Sequence, residues 1–337
     1  MDISCLHFDS TVVHALKKAR LTDQGSIMRL SNHEVELMTG LSSDEVQSVK
    51  DAIAVSLAPS KRHLTALDLY TTRDKSLQQW KLSTNCPRID KLFRGGMPSG
   101  TISEVTGESA SGKTQLCLQL CIGIQKNVEH GGGAVYICTE DAFPSRRLQE
   151  IIKHNSSSES DRKFGDHIFV EHVADFETLD SCVKYKLPVL LRQRSVRLVV
   201  IDSVTALFRC QYDVSQTVER AKHLNGFSSL LRRLAADHNI PIVCVNQVSS
   251  DMSQGNCSNA VTPALGLAWA NQVTCRFMLS KPVPSVEHFL RESDNVRVKE
   301  ASGLRTYRML KVVFAPHLPQ SETPVYIDRC GMHGILV

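Results

Sequence analysis

The chain predicts an α/β fold, a mainly parallel sheet with helices on both faces, preceded by a small helical domain. Three observations predict it. From about residue 82 onward, short runs rich in Val and Ile alternate with segments of helical period, as in βαβ units. Before that point, apolar residues recur at helical spacing. A glycine-rich phosphate-binding motif sits at one strand-to-helix junction.

Residues 1–55 make the helical domain. Val12, Val13, Ala15, Leu16 and Ala19 have helical spacing, and Val35, Leu37, Met38, Val46, Val49 and Ile53 extend the pattern. Gly40 is suited to end one helix, and Ser42 or Ser43 to cap the next. This is the form of a helix-hairpin-helix turn, which either packs a small domain or presents backbone N–H groups to a phosphate. Residues 56–82 read as a linker, with Pro59, Lys61 and Arg62 early in it. Its apolar patch, Leu64 to Leu67, is either the start of an element packing on its own domain or a tether that docks on a neighbouring subunit.

Residues 83–337 make the α/β core. Strands are expected at 102–106, 134–139, 198–202, 242–246, 273–279 and 308–314. Helices are expected around 113–128, 145–153, 176–193 and 217–237, and the polar stretch 156–161 reads as a flexible loop.

Composition excludes some classes. At 337 residues and 42% hydrophobic content the chain has ample material for a core. A net charge of +4 does not demand a polyanion, so any nucleic-acid contact is local. No apolar run approaches the ~20 residues of a membrane helix. Residues 1–10 carry acids and no apolar stretch, so no secretory signal is expected. Eleven cysteines without a C-x-x-C pair read as reduced thiols. Cys117 and Cys121 fall on one helix face as small core residues, and no structural zinc is expected.

The phosphate motif is Gly107-Glu108-Ser109-Ala110-Ser111-Gly112-Lys113-Thr114, which satisfies G-x-x-x-x-G-K-S/T between a strand and a helix. Its glycines let the backbone wrap phosphate oxygens, and its N–H groups face the same way as the positive end of the helix dipole. Lys113 has the reach to touch the β and γ phosphates of a nucleoside triphosphate, and Thr114 offers a hydroxyl to Mg²⁺. Four apolar residues run into Asp202, a carboxylate at a strand end suited to the same metal. Glu140 and Gln247 end two other strands. Glu140 either activates the attacking water or is a surface polar residue, and Gln247 either senses the γ-phosphate or is the same.

Together these motifs resemble the RecA/Rad-type recombinase ATPases. The resemblance rests on residues 136–140, 198–203 and Val245-Asn246-Gln247-Val248 following the phosphate loop. Residues 83–96 (STNCPRIDKLFRGG) are similar to the segment that enters this core in eukaryotic and archaeal members. Nearly the whole chain is covered, and it is most similar to one eukaryotic recombinase paralogue. The strings 134–144 (AVYICTEDAFP), 168–175 (IFVEHVAD), 187–191 (LPVLL) and 315–319 (APHLP) carry that similarity.

The resemblance implies a RecA-like ATPase core, a nuclear place (with the cytoplasm also open), and a role in homologous-recombination repair of DNA double-strand breaks. It implies ATP and Mg²⁺ held between neighbouring protomers, with Pro316 matching a proline that touches the adenine from the adjoining subunit. It implies DNA held by two loops, at 210–220 and 248–262. Arg209, Arg220 and Lys222 bracket the first and suit phosphate contacts. The second has no Lys or Arg and stays open between a disordered polar loop and a DNA contact.

Two positions depart from strand-exchanging members. Asp141 follows Glu140 where glycine is usual, and His63 stands where the polymerisation tether carries phenylalanine. Both fit a subunit that pairs with another recombinase paralogue and serves the strand-exchange recombinase indirectly. The leading expectation is a weak DNA-dependent ATPase within such a heteromeric mediator complex, on single-stranded or branched DNA and with no membrane role. The alternatives are a nucleotide-gated scaffold with negligible hydrolysis, a related hexameric helicase, or an unrelated P-loop enzyme. A guanine-reading N-K-x-D string is absent.

Overall fold

The computed structural model describes residues 6, 8–57, 65–71, 79–156, 160–193, 195–212, 216–250, 261–281 and 307–335. The chain divides into two compact units, Met1–Leu77 and Gln78–Val337.

In the first unit, helices α1 (Ser10–Lys18), α2 (Gln24–Arg29), α3 (Asn32–Thr39) and α4 (Ser43–Leu57) enclose Leu16, Ile27, Val35, Val46 and Ile53. Local chemistry sets the boundaries. Ser31 and Glu34 form a reciprocal capping box at the start of α3, and Gly40 ends it in the left-handed region at φ 73. Ser42 rather than Ser43 caps α4: its backbone N–H donates to Glu45 Oε2 at 2.8 Å, and its hydroxyl accepts from Glu45 N at 3.4 Å. Within the expected linker, Thr65 and Asp68 cap a short helix, Ala66–Thr71. The tether positions His63 and Leu64, and with them Pro59, Lys61 and Arg62, lie outside the described residues.

The second unit is built on one large sheet. Its strands are β3 (Ile102–Gly107), β4 (Gly133–Cys138), β5 (Ile168–His172), β6 (Val196–Asp202), β7 (Ile242–Ser250), β8 (Val261–Pro263), β9 (Cys275–Ser280), β10 (Tyr307–Phe314), β11 (Ser321–Asp328) and β12 (Gly331–Gly334). A separate pair, β1 (Lys81–Leu82) and β2 (Met97–Pro98), precedes it. The order across the sheet is β12-β11-β10-β9-β3-β7-β6-β4-β5, with β8 added to β7. The six strands from β9 to β5 are parallel, and β10, β11 and β12 close that end antiparallel.

Alternate residues of each central strand point to opposite faces. Tyr136, Val105, Val200 and Val243 pack with Leu116, Leu120 and Ile124 of the helix Lys113–Lys126. Ile102, Val135, Ile137, Val199 and Cys244 pack on the other face, with Leu179, Phe208, Leu231 and Trp269. Burial on both sides explains why these strands read as continuous apolar runs. Cys86, Cys117, Cys121, Cys138, Cys182, Cys244, Cys275 and Cys330 are free thiols, and Cys117, Cys121, Cys138 and Cys244 are buried. No helix among the described residues is long and apolar enough to cross a membrane.

The six expected strands are all present, with ends shifted by up to two residues and β7 running on to Ser250. The helical stretch 176–193 contains a wider π-type turn at Cys182–Lys186. The expected loop at 156–161 is in part outside the described residues. From Ser160 to His167 the chain is a 3₁₀ helix, held where Phe164 packs on the core and under Lys126. Strand β5, expected from no periodicity, forms because one of its edges completes the sheet beside β4.

Candidate functional site: the strand ends around the phosphate loop

The carboxyl ends of β3, β4 and β6 lie on one edge of the sheet beside Gln247 of β7, in register to within two residues. Gly107 pairs with Gln247, and Cys138 with Asp202. Crossovers leave these ends in different directions, which opens a crevice there.

Gly107 has φ 154, and a Cβ on it would lie 2.1 Å from the Leu279 carbonyl oxygen. Gly112 has φ 105 at the start of the helix Lys113–Lys126, where a Cβ would meet Ile327 at 2.7 Å. Both positions therefore need glycine. Between them Glu108, Ser109, Ala110 and Ser111 form the loop, and the buried Ser111 hydroxyl has no hydrogen-bond partner. The half-buried Lys113 ammonium folds back onto the carbonyls of Gly107 and Glu108, at 2.9 and 2.8 Å. Burial pushes its amine below the ordinary lysine value, and the Asp202 and Glu140 charges oppose that shift. A loop with no room for a Cβ at either glycine, an unsatisfied hydroxyl and a cation resting on weak carbonyl acceptors fits a polyphosphate.

Thr114 donates its hydroxyl to Asp202 Oδ2 at 2.8 Å, and Tyr136 donates to the same oxygen at 2.6 Å. Burial pushes the Tyr136 phenol well up, and the Asp202 charge adds to it, so Tyr136 stays a donor. The peptide between Asp202 and Ser203 is cis. A hydroxyl and a carboxylate oxygen side by side are hard donors of the kind Mg²⁺ takes.

Glu140 and Gln247 meet. The Gln247 amide donates to both Glu140 oxygens, at 2.8 and 2.9 Å, and the Ser203 hydroxyl also donates to Glu140. The Gln247 backbone N–H is held by Thr205 Oγ1 at 3.0 Å. Thr114, Tyr136, Glu140, Asp141 and Asp202 line one cavity of about 310 Å³. A second, of about 670 Å³, opens on the other side of Lys113 and Thr114 and is lined by Arg147, Arg308, Asp328 and Arg329. Arg147 is fixed there by Gln115 at 2.7 Å, Glu150 at 2.5 Å and the Asp328 carbonyl at 2.5 Å. Arg308 donates to the Ala110 carbonyl at 3.1 Å.

Sequence reasoning missed Tyr136, Ser203, Thr205, Arg147 and Arg308. Tyr136 is a lone hydroxyl inside an apolar strand run, a signal that was there to read. Arg147 and Arg308 carry no local signal, since 32 residues separate Arg147 from Gln115 and 198 separate Arg308 from Ala110.

Pro316 lines neither cavity. It sits in a turn after β10, closed by Leu318 N donating to Ala315 O at 3.3 Å. Register puts that turn at the far end of the sheet: Phe314 pairs with Arg276, which pairs with Glu104, three residues before Gly107. Arg209 is exposed in the last turn of the helix Val204–Gln211. Arg220 is half-buried and Lys222 exposed near the start of the helix Thr217–His238. The first expected DNA loop is therefore shorter than 210–220, because helix occupies both ends. Its residues 213–215, and residues 251–260 of the second, lie outside the described residues, as do 282–304 of the unassigned segment 281–304.

Comparison with known proteins places these features in a family. The family model described as Rad51 matches residues 75–335. The DNA repair protein XRCC3 of Bos taurus is 40% identical, over 99% of this chain and 98% of its own length. The protein of that name from Mus musculus is 37% identical over the same shares. The DNA repair and recombination protein RadA of Aeropyrum pernix is 28% identical over 96% of this chain and 93% of its own.

Proposed function

The chain belongs to the Rad51 family, and we propose that it acts in homologous-recombination repair of DNA double-strand breaks as an ATP-binding subunit of a heteromeric complex. The observation that carries this reading is the convergence of Lys113, Thr114, Asp202, Glu140 and Gln247 on adjacent strand ends. Similarity to DNA repair protein XRCC3 over nearly the whole chain points the same way.

In this reading the loop N–H groups from Glu108 to Lys113 hold the β-phosphate, and the Lys113 ammonium exchanges its two carbonyl partners for β and γ oxygens. Thr114 and Asp202 would hold Mg²⁺, which would neutralise phosphate charge when bound. Glu140 takes a proton from the water that attacks the γ-phosphorus, and ADP leaves with its terminal oxygen. Gln247 leaves Glu140 for the γ-phosphate and carries that state into the 248–262 loop. Arg147 and Arg308 line the larger cavity beside Lys113 and Thr114, where they would face the rest of the nucleotide. Pro316, at the far end of the sheet, reaches the adenine of a neighbouring protomer.

The partner is another recombinase paralogue. Strand β5 has a free edge among the described residues, beside a groove of about 470 Å³ lined by Phe169, Val170, Tyr185, Val189 and Leu190. An extended apolar segment from a partner fits such an edge and groove. Single-stranded or branched DNA binds through Arg209, Arg220 and Lys222, and the protein works in the nucleus.

One observation favours a nucleotide-gated scaffold as the second reading. Glu140 is fully engaged by Gln247 and Ser203, leaving it poorly placed to take a proton unless Gln247 moves. Single-turnover hydrolysis in wild type and Glu140→Gln separates the two. A rate unaffected by the substitution removes Glu140 from catalysis, and a wild-type rate no faster than the uncatalysed reaction leaves the scaffold.

A further inference from the structure

Glu104 has no part in the site described above, yet it is a carboxylate buried at 0% exposure. It lies in β3, between β7 and β9. Its Oε1 accepts from Asn246 Nδ2 at 2.6 Å and from Trp269 Nε1 at 3.0 Å. Its Oε2 pairs with Arg276 Nε.

Each partner leads elsewhere. Asn246 immediately precedes Gln247, and its Oδ1 accepts from the Thr205 hydroxyl, the group that receives the Gln247 N–H. The peptide carrying the Gln247 amide is thus held through Asn246 from two sides. Trp269 lies in the helix Gly266–Ala270, just past the hairpin in which Val248 pairs with Pro263. The Arg276 guanidinium lies 5.1 Å over the Phe314 ring, and Phe314 leads directly into the Pro316 turn. Arg276 Nη2 is buried without a hydrogen-bond partner.

A charge buried this deeply is tolerated only while its partners hold it. In a low-dielectric interior such hydrogen bonds are strong and directional, so the network has few alternative arrangements. A displacement of Asn246 therefore reaches Trp269 and Arg276 through the two oxygens of one rigid group.

We propose that Glu104 is a positioning residue that holds the Gln247 amide in register through Asn246 and passes Gln247's response to nucleotide on to Trp269 and to the Arg276–Phe314 contact beneath the Pro316 turn. The network then links a protomer's own ATP site to the surface it offers its neighbour's nucleotide. This rests on the reading of Gln247 as the group that meets the γ-phosphate.

The chain has two tryptophans, so one substitution isolates the reporter. Trp80 stacks on His130 and donates to the Asn239 carbonyl, away from the site, and Trp80→Phe leaves Trp269 alone. The full-length Trp80→Phe protein is titrated with Mg–ATP and with Mg–ADP, following emission and, separately, heat of binding. Trp269 emission is expected to change with ATP in step with the calorimetric isotherm, and to change less with ADP. Adding Gln247→Ala should abolish the change at ATP concentrations that calorimetry shows to saturate that variant. Glu104→Gln combined with Arg276→Gln, which removes both charges, should also uncouple emission from binding. If that variant does not fold, the Gln247→Ala titration still decides. Emission that stays flat while ATP binds overturns the proposal, as does a change that survives Gln247→Ala. If calorimetry detects no ATP binding, the ATP-site reading falls first and takes this inference with it.

Discussion

Gln247 donates to both carboxylate oxygens of Glu140, from a strand that lies two places across the sheet. The pair joins the group suited to activate water to the group suited to feel a γ-phosphate. In this arrangement each occupies the other, so in the proposed reading ATP would part them before hydrolysis.

Replacing Glu140 with Gln should leave ATP affinity nearly unchanged and lower the single-turnover rate by about 10²–10⁴-fold, the range for loss of a general base. Quenched-flow measurement of phosphate release reads this. Equal rates in the two proteins would remove Glu140 as the base, and no release above background in either would point to the scaffold reading.

Lys113→Ala removes the only side-chain cation of the phosphate loop. Charge-assisted hydrogen bonds are worth about 1.5–3 kcal/mol, so the Kd for ATP should rise by about 10–150-fold. Calorimetry checks it, and an unchanged Kd would mean that the triphosphate sits elsewhere.

Arg209→Ala with Arg220→Ala tests the DNA contact. If both residues neutralise phosphates of a single strand, the slope of log affinity against log salt should fall by about 1.4. An unchanged slope in fluorescence anisotropy would exclude them as phosphate contacts.

Val189→Glu places a charge in the apolar groove beside β5, where Val189 is 43% exposed. It should weaken co-purification of the proposed partner paralogue, while the melting temperature stays within about 2 °C, as for a surface change. Full retention of the partner would assign the groove another role.

Ile53→Ala empties a fully buried position in the first unit, at a cost of about 2–5 kcal/mol. Denaturant unfolding should show the loss in that unit, while ATP affinity in the second holds within about twofold, because each unit has its own core. A matching loss of ATP affinity would show that the two units are energetically coupled.

The phosphate loop was legible because its whole constraint is local. Gly107 and Gly112 answer to backbone angles and nearby atoms, and Lys113 and Thr114 begin the helix that follows. Asp202, Glu140 and Gln247 were legible as polar residues closing apolar runs, a pattern that places them at strand ends but not beside each other. Strands β11 and β12 were missed because Ser321–Asp328 mixes polar residues and a proline with few apolar ones, and edge-side strands need little burial on their outer face. The groups around Asp202 and Glu140 were less visible still, since Tyr136 and Ser203 each gain a role only from a neighbour more than sixty residues away.

Short-range chemistry therefore decides where this chain turns, caps and binds phosphate, because φ, side-chain volume and helix-start donors depend on a few adjacent residues. The α/β class follows from it as well, since buried parallel strands must be apolar on both faces. The meeting of Glu140 with Gln247, the seat of Arg147 and the burial of Glu104 against Asn246, Trp269 and Arg276 depend on strand order and register. Those are set by packing the whole sheet at once, so the partners of these groups exist only in the folded chain.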